Sequence, residues 1–90
     1  MNTTRIDRMR QLLNAALSPE SLEIRDDSTL HAGHAGARDG AGHYAVKIVA
    51  LAFAGQPMIK RHRLIYESVA DMMPREIHAL SIDARAPGEP

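Results

Sequence analysis

The stretch HYAVKIVALAFAGQPMIKRHRLIYESVADMMPREIHALSIDAR, residues 43–85, changes its hydrophobic period twice, and those changes decide the fold. Tyr44, Val46, Ile48 and Ala50 fall on one face of a strand of about eight residues, because side chains alternate sides along a strand. FAGQP punctuates it. From Met58 to about Met73 the period becomes helical. Ile59, Ile65, Val69 and Met72 or Met73 form the inner face, with Lys60, Arg61, Arg63, Glu67 and Asp71 outside. Pro74 ends the helix. IHALSIDAR then alternates His78, Leu80, Ile82 and Ala84 against Ile77, Ala79, Ser81 and Asp83, the pattern of a further strand. A strand, a helix and a strand in one sheet require a crossover, which makes the two strands parallel and the connection right-handed.

Upstream, Ile6, Met9, Leu13, Ala16 and Leu17 recur at three- and four-residue steps and predict a helix over residues 4–17, capped by Thr3 or Thr4 and stopped near Ser18-Pro19. In LEIRDDS, Leu22 and Ile24 alternate with Glu23 and Arg25 as in a short strand with one face buried. Residues 29–42 carry four of the six glycines and no period, so they read as a long loop of the kind that often has a function. The order α-β-β-α-β gives a small α+β domain, a three-stranded mixed sheet with both helices on one face and a wetter opposite face. Its expected extent is residues 1–86, with 87–90 as a disordered tail.

Ninety residues suit one small domain with a thin core. Eleven basic and eleven acidic side chains cancel, so no global charge steers the chain toward nucleic acid or anionic lipid. There is no cysteine, which removes disulfides and thiolate chemistry and leaves histidine and carboxylate as the strong metal ligands. MNTTRIDRMRQLLNAAL has no apolar signal core and no run of about 18 apolar residues occurs, so a soluble, cytoplasmic protein is expected. No GxSxG elbow, GxxxxGK[ST] or GxGxxG fingerprint supports hydrolase or nucleotide chemistry.

Three of the five histidines lie in HAGHAGARDGAGHY, residues 31–44. Neutral imidazole binds zinc, iron, copper and nickel and titrates near pH ~6.5, so each histidine is a candidate ligand, a proton-transfer group or a surface residue. His31 and His34 form an HxxH pair that reaches one metal if the loop turns; an ordinary solvated loop is the competing reading. His43 opens its strand on the face opposite Tyr44, where a half-exposed histidine needs no special role. His62 lies among the cations of KRHRL, which repel a metal and favour a phosphate or carboxylate contact, or a helix-to-sheet hydrogen bond. His78, on the parity of Leu80 and Ile82, is placed at the edge of the buried face, as either a satisfied core histidine or a rigidly held ligand.

The combination of Ser28, His31, Ala32, Gly33 and His34 (SxxHAGH), His43-Tyr44, FxG at 53–55, RHRLIY at 61–66 and IHALSI at 77–82 resembles the BolA family. The match runs from the first helix to the tail, and the α-β-β-α-β order of the family, with its KH-like topology, agrees with the order read from the periods. The resemblance implies a non-enzymatic partner of a monothiol glutaredoxin in iron-sulfur cluster handling and iron homeostasis. In that arrangement a 2Fe-2S cluster is held by the glutaredoxin cysteine and a glutathione thiolate on one side and by this chain on the other. Carried onto these residues, the ligand of the IHAL motif is His78, and the second ligand is His31 or, in competition with it, His34 of the loop. Imidazole in place of thiolate makes the cluster less negative and raises its potential, and protonation competes with binding.

Two other functions compete. Some BolA-like proteins are described as DNA-binding transcriptional regulators, and Lys60, Arg61 and Arg63, with His62 among them and Arg75 beyond the helix, offer a local basic patch. The same residues suit an acidic glutaredoxin surface or the glutathione carboxylates. AFAGQP lacks the GxxG turn with which KH domains clamp nucleic acid, and one Phe, two Tyr and no Trp leave few stacking platforms. The third reading is a divalent metal site made of His31, His34 and His78.

Overall fold

The computed structural model describes residues 4–28 and 42–90. Helix α1 spans Arg5–Leu17. Thr4 caps it, its Oγ1 accepting the Asp7 N–H at 3.0 Å, while Asp7 puts negative charge in the first turn, where the helix dipole favours it. The helix ends at Ser18, whose positive φ of 45° turns the chain and whose N–H bonds the Asn14 carbonyl. Strand β1, Ser21–Asp26, follows. Strand β2 is Gly42–Val49, helix α2 is Met58–Ser68 and strand β3 is Ile77–Arg85. Short 3-10 turns at Leu51–Phe53 and Ala70–Met72 lead into and out of α2.

The sheet order is β1-β2-β3, with β1 antiparallel and β3 parallel to β2, the small mixed α+β sheet expected from the changes of period. Tyr44, Val46, Ile48 and Ala50 are all buried, as their spacing predicts. They meet Met9 and Leu13 from α1, Ile65 from α2, Val69 at the C-cap of α2, and Phe53 and Met72 from the turns flanking it, in one core. Residues 43, 45, 47 and 49 point the other way, beside Glu23 and Arg25 of β1 and Ser81 and Asp83 of β3, on the face opposite α1 and α2.

Several expectations need correction. The helix predicted to run to about Met73 stops at Ser68, whose Oγ bonds back to the Leu64 carbonyl at 2.7 Å, and the chain tightens into the 3-10 turn. Ala16 is exposed, and Leu12, half-buried, packs on the core. Ile59, assigned to the inner face, is 69% exposed, and Arg61, assigned to the outer face, is 6% exposed. These two errors have one cause. The inward stripe runs Arg61, Ile65, Val69 in steps of four, and Ile59 lies two residues, about 200°, around the helix from Arg61.

Arg61 remains charged inside the fold because its guanidinium makes four hydrogen bonds there. Its Nε donates to the Gln56 carbonyl at 2.8 Å and Nη1 to the Ala84 carbonyl at 3.1 Å, and the Glu89 carboxylate takes two bonds at 2.6 and 2.8 Å. Glu89 belongs to the segment expected to be a disordered tail. Gly88, at φ +84°, turns the chain back, and the Ala86 N–H donates to the same carboxylate at 3.0 Å. The last turn is thus tied to the start of α2.

The Arg61 bonds, with help from the Ala86 N–H, hold the Glu89 carboxyl down at about 2, below its ordinary 4.5. A carboxyl depressed on folding stabilises fully above its ordinary value and loses that contribution as pH falls through the folded value. Wild type is therefore expected to melt above Glu89→Gln at pH 7, with the gap closing as pH falls from about 4.5 to about 2. Melting curves of the two proteins across that window check it; a pH-independent gap would assign the difference to something other than this carboxylate.

Candidate metal centre at the head of the sheet

His78 does not lie at the edge of the buried face. The β2–β3 register pairs Gly42 with Ile77 and then His43 with Ala79, so His78 is an extra residue, a bulge in β3. Ile77 and Leu80 both turn inward as a result, and the two residues between them, His78 and Ala79, face out. Strict alternation put His78 with Leu80 and Ile82; the bulge moves it to the side of His43. The two imidazoles have ring centroids 5.0 Å apart and planes inclined at 52°. His78 is exposed and His43 half-buried. Sequence reasoning left His43 without a role, and the HY spacing alone gave no signal of this neighbour.

The surroundings hold the pair in place. A Cβ on Gly42 would come within 2.6 Å of the Tyr44 ring, so only glycine allows that ring to lie against the start of β2. The Gly42 N–H donates to the Glu76 carbonyl at 3.0 Å, joining the first residue of β2 to the residue before β3. Arg8 of α1 grips the Glu76 carboxylate, with a bond of 2.6 Å to Oε2. On the other side the His43 N–H donates to Ser28 Oγ at 3.1 Å, and the His43 carbonyl accepts the Asp27 N–H at 2.7 Å. Ser28 and Gly42, which flank residues 29–41, are therefore both anchored beside the histidine pair. His31 and His34 lie outside the described residues. Among the described residues no group of three or more histidine or acidic side chains is placed to hold a metal.

The basic residues of α2 stand elsewhere. Arg61 bonds the carbonyl of Ala84, six residues along β3 from His78, which at a rise of about 3.3 Å per residue is about 20 Å away. Lys60 and Arg63 are exposed at that far end, and His62, half-buried, lines a groove with Met58, Ile82, Asp83, Arg85 and Glu89. Arg61 is spent inside the fold, which corrects its assignment as a contact for a partner, glutathione or nucleic acid.

The family model described as BolA-like protein matches residues 13–89. The chain belongs to the BolA family. It is 45% identical over 87 residues to SufE-like protein 1, chloroplastic/mitochondrial, of Arabidopsis thaliana, covering 91% of this chain and 24% of that protein. It thus spans about a quarter of that relative's length. The DNA-binding transcriptional regulator BolA of Escherichia coli is 34% identical over 76 residues, 84% of this chain and 70% of that one. The solved BolA domain of SufE1 from Arabidopsis thaliana superimposes with a TM-score of 0.85 at 40% identity, all of each chain covered. Within this BolA domain, the bulged histidine of the IHAL motif and the histidine of the HY motif meet on one edge of the open sheet face.

Proposed function

We propose that this BolA-family chain is a non-enzymatic iron-sulfur carrier that shares a 2Fe-2S cluster, as cargo, with a monothiol glutaredoxin and glutathione. The observation that carries the reading is His78: an exposed imidazole on a strand bulge, aimed off the core, beside the two chain ends that bracket the histidine-rich segment. Nitrogen donors fit the borderline iron of such a cluster, and the exposed His78 imidazole is reached without opening the core. His78 supplies the rigid ligand and His31 or His34 the second. Lys60 and Arg63 are exposed on α2, beside the Arg61 that bonds the Ala84 end of β3 rather than at His78, and are assigned to the body of the protein partner. A cytoplasmic setting belongs to the same proposal; no described helix is long and apolar enough to cross a membrane.

The test is anaerobic reconstitution with a monothiol glutaredoxin, glutathione, iron and sulfide, followed by visible circular dichroism. A spectrum distinct from that of the glutaredoxin alone is expected. The glutaredoxin spectrum unchanged at all ratios would reject the shared cluster.

DNA binding is the second reading, favoured by the name of the Escherichia coli relative and by the exposed Lys60 and Arg63. With Arg61 buried, the patch has one cation fewer than its sequence promised. Binding led by two or more phosphates weakens by about tenfold or more as salt rises from about 50 to about 200 mM, because each neutralised phosphate releases counterions. A flat response rules this reading out.

A further inference from the structure

Two features converge on His43 and His78 independently of any partner. The first is the bulge. Without it, alternation would set the two rings on opposite faces of the sheet; with it, they share one. The second is their separation. A ring nitrogen lies about 2.0–2.1 Å from a bound zinc ion and the ring centroid about 1.1 Å beyond, so two imidazoles on one ion have centroids about 5.2 Å apart at a tetrahedral angle and about 4.5 Å at a right angle. The observed 5.0 Å falls between those values, and the 52° inclination rules out a parallel stack. The backbone beneath is braced on both sides, by Ser28 at His43 and by the Gly42–Glu76 bond at the head of β3.

We infer that His43 and His78 form a two-imidazole chelate for a divalent late transition ion, zinc among them, in the isolated chain. The ion takes one nitrogen from each ring and completes its coordination with solvent or with a donor from an incoming partner. His78 contributes to this site whether or not it also receives a cluster, so the inference does not rest on the shared-cluster reading. It differs from a site built on His31, His34 and His78, because its second ligand is on β2 and is preorganised by the sheet. Imidazole pairs of this kind favour zinc, nickel and copper over magnesium and calcium, whose preferred donors are oxygens.

The experiment is a zinc titration of the full chain, labelled with 15N-histidine and free of glutaredoxin, followed through the imidazole nitrogens by NMR. The His43 and His78 rings are expected to shift together and saturate at one ion per chain while His62 stays unmoved. His43→Gln and His78→Gln should each weaken binding by about tenfold or more, and a His31→Gln/His34→Gln double variant should keep it. The wild-type ring shifts carry the test even if a variant folds poorly. Shifts confined to His31 and His34, or retention of full affinity in His43→Gln, would overturn the inference. Because no cluster is present, either outcome is distinguishable from success or failure of the cluster reconstitution.

Discussion

Phe53→Ala is expected to cost about 3–5 kcal/mol of stability, the range for removing a fully buried phenylalanine and leaving part of the cavity behind. Phe53 is the chain's one phenylalanine, is fully buried, and sits in the 3-10 turn where the chain leaves β2 for α2. It packs in the core with Ile48, Ile65 and Met9, so its removal loosens the junction of both helices with the sheet. Domains of this size hold only a modest margin, commonly about 5–15 kcal/mol, so the variant should unfold at far lower urea than wild type. Leu51, two residues earlier and 75% exposed, is the control: Leu51→Ala should stay within about 0.5 kcal/mol. Urea denaturation of the three proteins checks both, and near-equal midpoints would contradict the core as described.

His78→Ala is expected to leave the fold intact and to remove the imidazole-ligated character of the shared cluster. The side chain is exposed and its neighbours Ile77 and Ala79 keep their places in the register, so the substitution vacates a ligand position and opens no cavity. Losing one of two ligands from this side should leave the glutaredoxin's own spectrum in the reconstituted mixture. His43→Ala changes the neighbour of His78 and removes none of the ligands assigned by the cluster reading, so it should shift the spectrum without abolishing it. Acid should weaken the complex as imidazole protonation competes with iron. An unchanged spectrum in His78→Ala would remove His78 from the site.

Much of the fold was legible because two periods, 2.0 and 3.6, govern which residues meet the core. β3 was read to its last residue, Ile77–Arg85, and the inner face of β2 without error. What hydrophobic patterning missed were places where a polar group is satisfied by partners distant in sequence. Arg61 is buried because carbonyls from Gln56 and Ala84 and a carboxylate from Glu89 converge on it, and no local pattern announces residues 23 and 28 positions away. Ile59 was misplaced for the complementary reason: an isoleucine at the first turn was counted toward a stripe that the arginine occupies.

The site was legible in its residue types and not in its geometry. Histidine at 78 was singled out, yet alternation is blind to a bulge, and a single inserted residue reverses the side of the sheet. His43 was set aside because its neighbour is 35 residues away in the chain and becomes a neighbour only through the parallel pairing of β2 with β3. The basic run KRHR looked like one patch; helical geometry divides it into an inward arginine and outward Lys60 and Arg63.

The most direct measurement of the central claim is pulsed EPR of the reduced mixed cluster, prepared with 15N-histidine in this chain and natural-abundance glutaredoxin. A 15N coupling to the iron is expected in wild type and should change or vanish in His78→Ala, with His31→Ala and His34→Ala identifying the loop ligand. A cluster spectrum with no 15N coupling in wild type would mean that this chain's imidazoles do not bind the iron, and would contradict the cluster reading at its base.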